Sequence, residues 1–197
     1  MAKQTINIGA SANDGTGDPL RTAMDKTNDN FTELYNVGGW GFYVDGETTT
    51  PTQVITTTTQ KLSIDGAGAT SNSDYLPREI RGSGELWDTT NDLITPINLG
   101  DGYTLRIDLG ITAKSGSPSE IVFELDIGGS ATPTIVIVER IIGTGKTPPY
   151  TVSIGFPIFC LSNFVANSGQ IFLKTDSGTV TIAKRQISIH RLNNGAL

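Results

Sequence analysis

A single cysteine, Cys160, and a single histidine, His190, stand in a chain of 197 residues. One thiol forms no intramolecular disulfide, and one thiol with one imidazole cannot complete a zinc cage. Stability has to come from packing. Charge is sparse as well: 14 Lys and Arg against 20 Asp and Glu give a net charge of -6, with no basic cluster. Counterion release, which drives binding to polyanions, has no footprint here, so nucleic acid is not an expected partner. No apolar run reaches the roughly 20 residues needed to cross a bilayer, and the N-terminus MAKQTINIGA lacks the apolar stretch of a signal peptide. The sequence predicts neither membrane insertion nor export by that route. Good helix formers are few, with 25 Leu and Ala against 57 Ile, Val and Thr. β-branching stiffens χ1 and favours pleated structure, so a mainly β chain is expected. A hydrophobic share of 37% suffices for one packed domain with an appendage.

The appendage is at the N-terminus. After TINIGASA comes NDGTGDP, where Gly15 and Gly17 permit positive φ and Pro19 fixes φ near the helical value. Asp18 is the expected N-cap and Pro19 the first helical residue, with the helix running to Tyr35 or Asn36 before Gly38 and Gly39. Within it Leu20, Met24, Thr27, Phe31 and Leu34 recur at alternating spacings of about four and three, the stripe of a coiled-coil seam or of any amphipathic helix. Asp25, Asp29 and Glu33 face away from it. A helix this short is marginal alone in water, so its stripe predicts a partner.

Beyond the VGGWG hinge, short apolar runs alternate with Gly, Pro, Asn, Asp and Ser, the pattern of a sandwich or barrel. Strands are expected at 42–45, 52–58, 61–65, 85–88, 93–97, 103–112, 120–128, 134–142, 150–160, 170–175 and 179–191. Tyr103, Leu105, Ile107 and Leu109 alternate with polar neighbours, as a half-buried antiparallel strand requires. The last strand changes phase near Lys184, which predicts a bulge. TIVIVERII and YTVSIGFPIF are apolar on both phases, which predicts burial on both faces, inside the sandwich or against another subunit. The boundary falls at residue 39: an arm and helix over 1–39, a β domain over 40–197.

Candidate chemistry is thin. Gly143-Thr144-Gly145-Lys146-Thr147 follows a strand like a phosphate-binding loop, but Arg140 stands where that pattern needs its first glycine, and Pro148 and Pro149 forbid the helix that must follow. NDGTGD lacks the closing bidentate Glu of a calcium loop. Cys160 sits in the apolar run FPIFCLSNF, where an inert buried thiol is the ordinary reading, not a nucleophile paired with His190. Glu120, Glu124 and Asp126 could supply an acid and base for glycoside hydrolysis, yet a solvated strand face accounts for them. Trp40, Trp87 and the tyrosines suit core or interface anchoring before sugar stacking. Asn30-Phe31-Thr32 is a sequon in form only. No enzyme activity, metal or cofactor is expected.

The segment INIGASANDGTGDPLRTAMDKTNDNFTELY resembles a module near the N-termini of tailed-bacteriophage virion proteins, in which a glycine-rich turn leads into a helix ending Asn-Phe-x-Glu-Leu-Tyr. It is carried by Asn13, Asp14, Gly15, Gly17, Asp18, Leu20, Arg21, Asn30, Phe31, Glu33, Leu34 and Tyr35; Met24 replaces an aromatic. Residues 75–191 resemble, more loosely, a tumour-necrosis-factor-like jelly roll of phage structural proteins. The resemblance implies an antiparallel jelly-roll sandwich that forms a homotrimer in the virion. It implies a fibre or capsid decoration protein docked on capsid, neck or tail proteins by its N-terminal segment. Leu20, Met24, Phe31, Leu34 and Tyr35 are the expected attachment or oligomer residues. The alternative is a receptor-binding fibre that recognises a host cell-surface glycan.

Overall fold

The computed structural model describes residues 4–11, 14–35, 38–45, 52–65, 69–70, 73–129, 134–142, 146–193 and 195. Helix α1, Leu20–Tyr35, follows the arm. Among the described residues twelve strands come next: β1 Gly39–Val44, β2 Gln53–Ile55, β3 Gln60–Lys61, β4 Ala69–Thr70, β5 Trp87–Asp88, β6 Leu93–Ile94, β7 Gly102–Ser115, β8 Glu120–Asp126, β9 Ile135–Ile142, β10 Tyr150–Phe159, β11 Gln170–Thr175 and β12 Thr179–Asn193. A short helix α2, Ser162–Asn167, separates β10 from β11.

Two antiparallel sheets form the sandwich. The first has the order β10-β7-β12-β1-β4, with β2 also paired to β12; the second has the order β3-β11-β8-β9. Within the two sheets the chain crosses after β2 and β3 and again after β7, β9, β10 and β11, the winding of a jelly roll. The two long strands β7 and β12 form its spine, in register from Thr179↔Ser115 to Asn193↔Gly102. The predicted phase change is real: pairing slips between Ile182 and Lys184, so Val180 and Ile182 point inward before it and Ile187 and Ile189 after it. At the β11–β12 turn Gly178 has φ 58°, and a Cβ there would collide with the Ser115 carbonyl at 2.0 Å.

Alternation puts Tyr103, Leu105, Ile107, Leu109 and Ile111 of β7 into the core opposite Ile121, Phe123 and Leu125 of β8. Phe123 meets Phe156 across the sheets with ring centroids 5.3 Å apart. Each such side chain contributes about 1.5–3 kcal/mol by leaving water. The expectation for β9 and β10 is corrected in the single chain: β9 is the edge of its sheet, leaving Ile135, Val136 and Val138 exposed, and only one face of β10 is buried. Near the root of α1 a buried ion pair ties three segments. Arg191 meets Asp101 at 3.0 Å and Glu79 at 2.9 Å, while Tyr103 Oη and the Gly195 amide donate to Asp101. Asp101→Ala should therefore lower unfolding free energy by about 3–5 kcal/mol, because Arg191 stays buried with its main counter-charge gone; denaturant unfolding of the variant reads this directly.

Candidate functional site

The arm is folded. Gln4 and Asn30 pair reciprocally, the Gln4 amide donating to Asn30 Oδ1 (2.8 Å) and Asn30 Nδ2 to the Gln4 carbonyl (2.9 Å). Asn7 and Asp18 do the same: the Asn7 amide donates to Asp18 Oδ2 and the Asp18 amide to the Asn7 carbonyl, each at 2.8 Å. Lys26 Nζ donates to Asp18 Oδ2 at 2.7 Å and to the Thr5 carbonyl at 3.1 Å. The described residues among 4–35 thus form an arm that turns back on α1 as a strap along its Lys26, Asp29 and Asn30 flank.

Asp14 holds the turn, accepting from the amides of Ala10, Ser11 and Thr16. These bonds, led by the Thr16 amide, lower its carboxyl from 3.8 to about 2. Turn geometry accounts for the NDGTGD segment without calcium, although Asn13 itself lies outside the described residues. A depressed pKa in the folded chain means this support is fully present above pH 4 and is lost as pH falls toward 2. Amide exchange at Ala10, Ser11 and Thr16 should accelerate across that window while the core strands stay protected.

Asp18 plays a different part from the expected cap. The first helical bond runs from the Ala23 amide to the Pro19 carbonyl at 2.9 Å, and α1 proper begins at Leu20. The Asp18 carboxylate is turned to Asn7 and Lys26, because the strap offers it an amide and a cation together. Its pKa is lowered by the Lys26 hydrogen bond first and the Asn7 amide second.

The strap leaves the apolar stripe open. Leu20 is 79% exposed, Phe31 55% and Met24 51%. The side chains of Leu34 and Tyr35 lie outside the described ones. Among the described residues, the hydrogen bonds of arm and helix stay within residues 4–35, so nothing of the sandwich is bonded to them.

A second apolar surface lies where α1 enters the sandwich. Gly39 opposes Arg191, which opposes Tyr103, while Gly102 opposes Phe159, so these strand ends share one end of the domain. Leu99, Phe159, Leu161 and Leu192 at that end are all more than half exposed. Phe159 and Leu161 continue into a 250 Å³ cleft between β9 and β10, lined also by Val136, Pro157 and Phe164. The opposite end, around Gly116, Ser117 and Ser177, is polar. Sequence reasoning did not find this base as a surface. Its signal was the doubly apolar run ending in Phe159, for which the sequence left open burial inside the sandwich or against another subunit.

Catalytic alternatives do not assemble. Cys160 is fully buried, and burial followed by the Asp101 charge pushes its thiol up to about 12. His190 is exposed on the opposite face of its strand, stacked 6.1 Å from Trp40, whose other neighbour is Tyr75 at 4.8 Å. Glu120 pairs with Arg140 and Glu124 with Lys174, while Asp126 is buried and accepts from the Gly128 and Thr134 amides. Each carboxylate is held by its own partner, as a structural strand face requires. Trp87 is a core anchor, its Nε1 donating to the Ile64 carbonyl at 2.9 Å. Residues 143–145 of the Gly-Thr-Gly-Lys-Thr loop lie outside the described residues. Among the described residues no group of three or more metal-ligating side chains converges, and no helix is long and apolar enough to cross a membrane.

Residues 3–108 match the sequence profile of the family described as "Bacteriophage T4 gp9/10-like protein, N-terminal". No curated protein matches the chain. Among solved structures, Eiger TNF from S. frugiperda is similar at 9% identity and a TM-score of 0.47, covering 82% of this chain and 96% of that one.

Proposed function

Since the chain belongs to the bacteriophage T4 gp9/10-like family of phage structural proteins, we propose that it is a non-enzymatic virion component, a homotrimer mounted on the particle through residues 1–39. The observation that carries this reading is the polarity of the molecule. It leaves two apolar surfaces open, the helix stripe and the base, and the chain runs from α1 into the sandwich at the base end, while the end around Ser117 and Ser177 is polar. Exposed apolar patches of that kind mark surfaces that are covered in use.

The division of labour follows from geometry. Edge strand β9, with Ile135, Val136 and Val138 bare, and the cleft beside Phe159 suit contact with another copy of the chain. Val136 belongs to both, so edge and cleft form one apolar patch, which a closed threefold arrangement would bury in every copy. The strapped helix, stiffened by Asp18–Lys26 and Gln4–Asn30, presents Leu20, Met24 and Phe31 in one conformation, which lowers the ordering cost of docking on capsid, neck or tail protein. Imaging of the intact particle tests the reading. The β7–β12 sandwich should stand with its base toward the particle and the Ser117–Ser177 end outward. A sandwich seated by its polar end, or no such density at all, would refute it.

A further inference from the structure

We propose that the outer face of the first sheet carries a binding site for a single acidic sugar residue, a pyranose bearing a carboxylate. The site goes beyond the structural role above, and none of its lining residues belongs to the arm or to the base. Its geometry comes from strand register. Asp108 of β7 stands opposite Gln186 of β12 and Ser153 of β10, and Arg106 is the next outward residue along β7. These side chains, with Thr151 and Gly110, surround a cup of about 240 Å³ rimmed by Lys184. That is smaller than the roughly 300–1,000 Å³ of sites for drug-sized ligands, so it admits one ring and no more.

Asp108 organises the cup without being its ligand group. It is only 7% exposed, and it accepts from Arg106 Nε (3.1 Å), Ser153 Oγ and Gln186 Nε2. Those three bonds fix what remains to face a ligand. The two Nη groups of Arg106 form a fork of charged donors, matched to the two oxygens of a carboxylate. Ser153 has spent its proton on Asp108 and offers only its oxygen as acceptor, while Gln186, with one of its two amide N–H groups on Asp108, keeps its carbonyl oxygen as acceptor and a second N–H. Thr151 adds a hydroxyl able to donate and accept. The Arg106 fork, the Ser153 and Gln186 acceptors and the absence of a side chain at Gly110 together fit a ring with a carboxylate at one position and hydroxyls at its neighbours. A plain anion would leave the acceptors unused, and an apolar ligand would leave every group unpaired.

Saturation-transfer NMR on the full chain tests this with glucuronate, glucose and acetate as probes. Glucuronate should bind with a Kd of about millimolar, as one ring held by few contacts allows, and glucose and acetate should each bind about tenfold more weakly or worse. Arg106→Gln should remove the preference for glucuronate over glucose, and Gln186→Ala should weaken both sugars. Arg106 is largely exposed, so its variant should keep the parent's mass and melting temperature. Absence of transfer from glucuronate, acetate binding as well as glucuronate, or full binding in both variants would overturn the assignment.

Discussion

Phe31→Asp is expected to leave a folded chain with its normal subunit mass, yet to remove it from purified particles. Phe31 is 55% exposed, so no core contact is lost, and Asp at a helix-interior position costs only a few tenths of a kcal/mol of propensity. In the docked state the same ring is to be buried. Deleting it forfeits about 1.5–3 kcal/mol, and putting a carboxylate in an apolar seat adds several more. A trimer repeats that loss at every mount it uses, and linked contacts multiply. Occupancy should fall below detection in a quantitative protein stain of particles complemented with the variant. Thr22→Asp, exposed on the side of the same helix opposite the stripe, should load normally. Equal loading of both variants would mean that the stripe is not the mount.

The second large effect is at the base. Phe159→Asp with Leu161→Asp should convert the assembled form to monomers while far-ultraviolet circular dichroism keeps its β signature. These side chains are 68% and 65% exposed in the single chain, and the inward residues beside them, Ile158 and Cys160, are unchanged. Two carboxylates per subunit placed in an apolar contact cost several kcal/mol each, comparable in sum with the roughly 8 kcal/mol that a micromolar dissociation constant represents. A double variant that still sediments as the parent would move the subunit contact elsewhere on the sandwich.

Much of this architecture was legible in the residues. The strict alternation in Tyr103–Leu109 announced β7, and the phase change near Lys184 announced a slip that the pairing shows between Ile182 and Lys184. Gly and Pro punctuation placed α1 to within a residue. The less legible parts share a cause: they depend on contacts distant in sequence. α2 covers the core through Phe164 alone, too little to print a period of 3.6 in six residues. Asp18 carries a cap-like signature, but Asn7 and Lys26 compete for its carboxylate only once the arm folds back. The doubly apolar β9 run left burial inside the sandwich and burial against another subunit both open, because a sequence does not say which strand ends a sheet. The cup on the outer face was invisible, since Arg106, Ser153 and Gln186 belong to three strands and meet only through register.

Sedimentation equilibrium of the full chain in the micromolar range addresses the proposed assembly most directly. Three copies of the 20.9 kDa chain should be found across the dilution series, with the Phe159→Asp, Leu161→Asp variant falling to one. A parent chain that sits as a lone 20.9 kDa species at every concentration would contradict it.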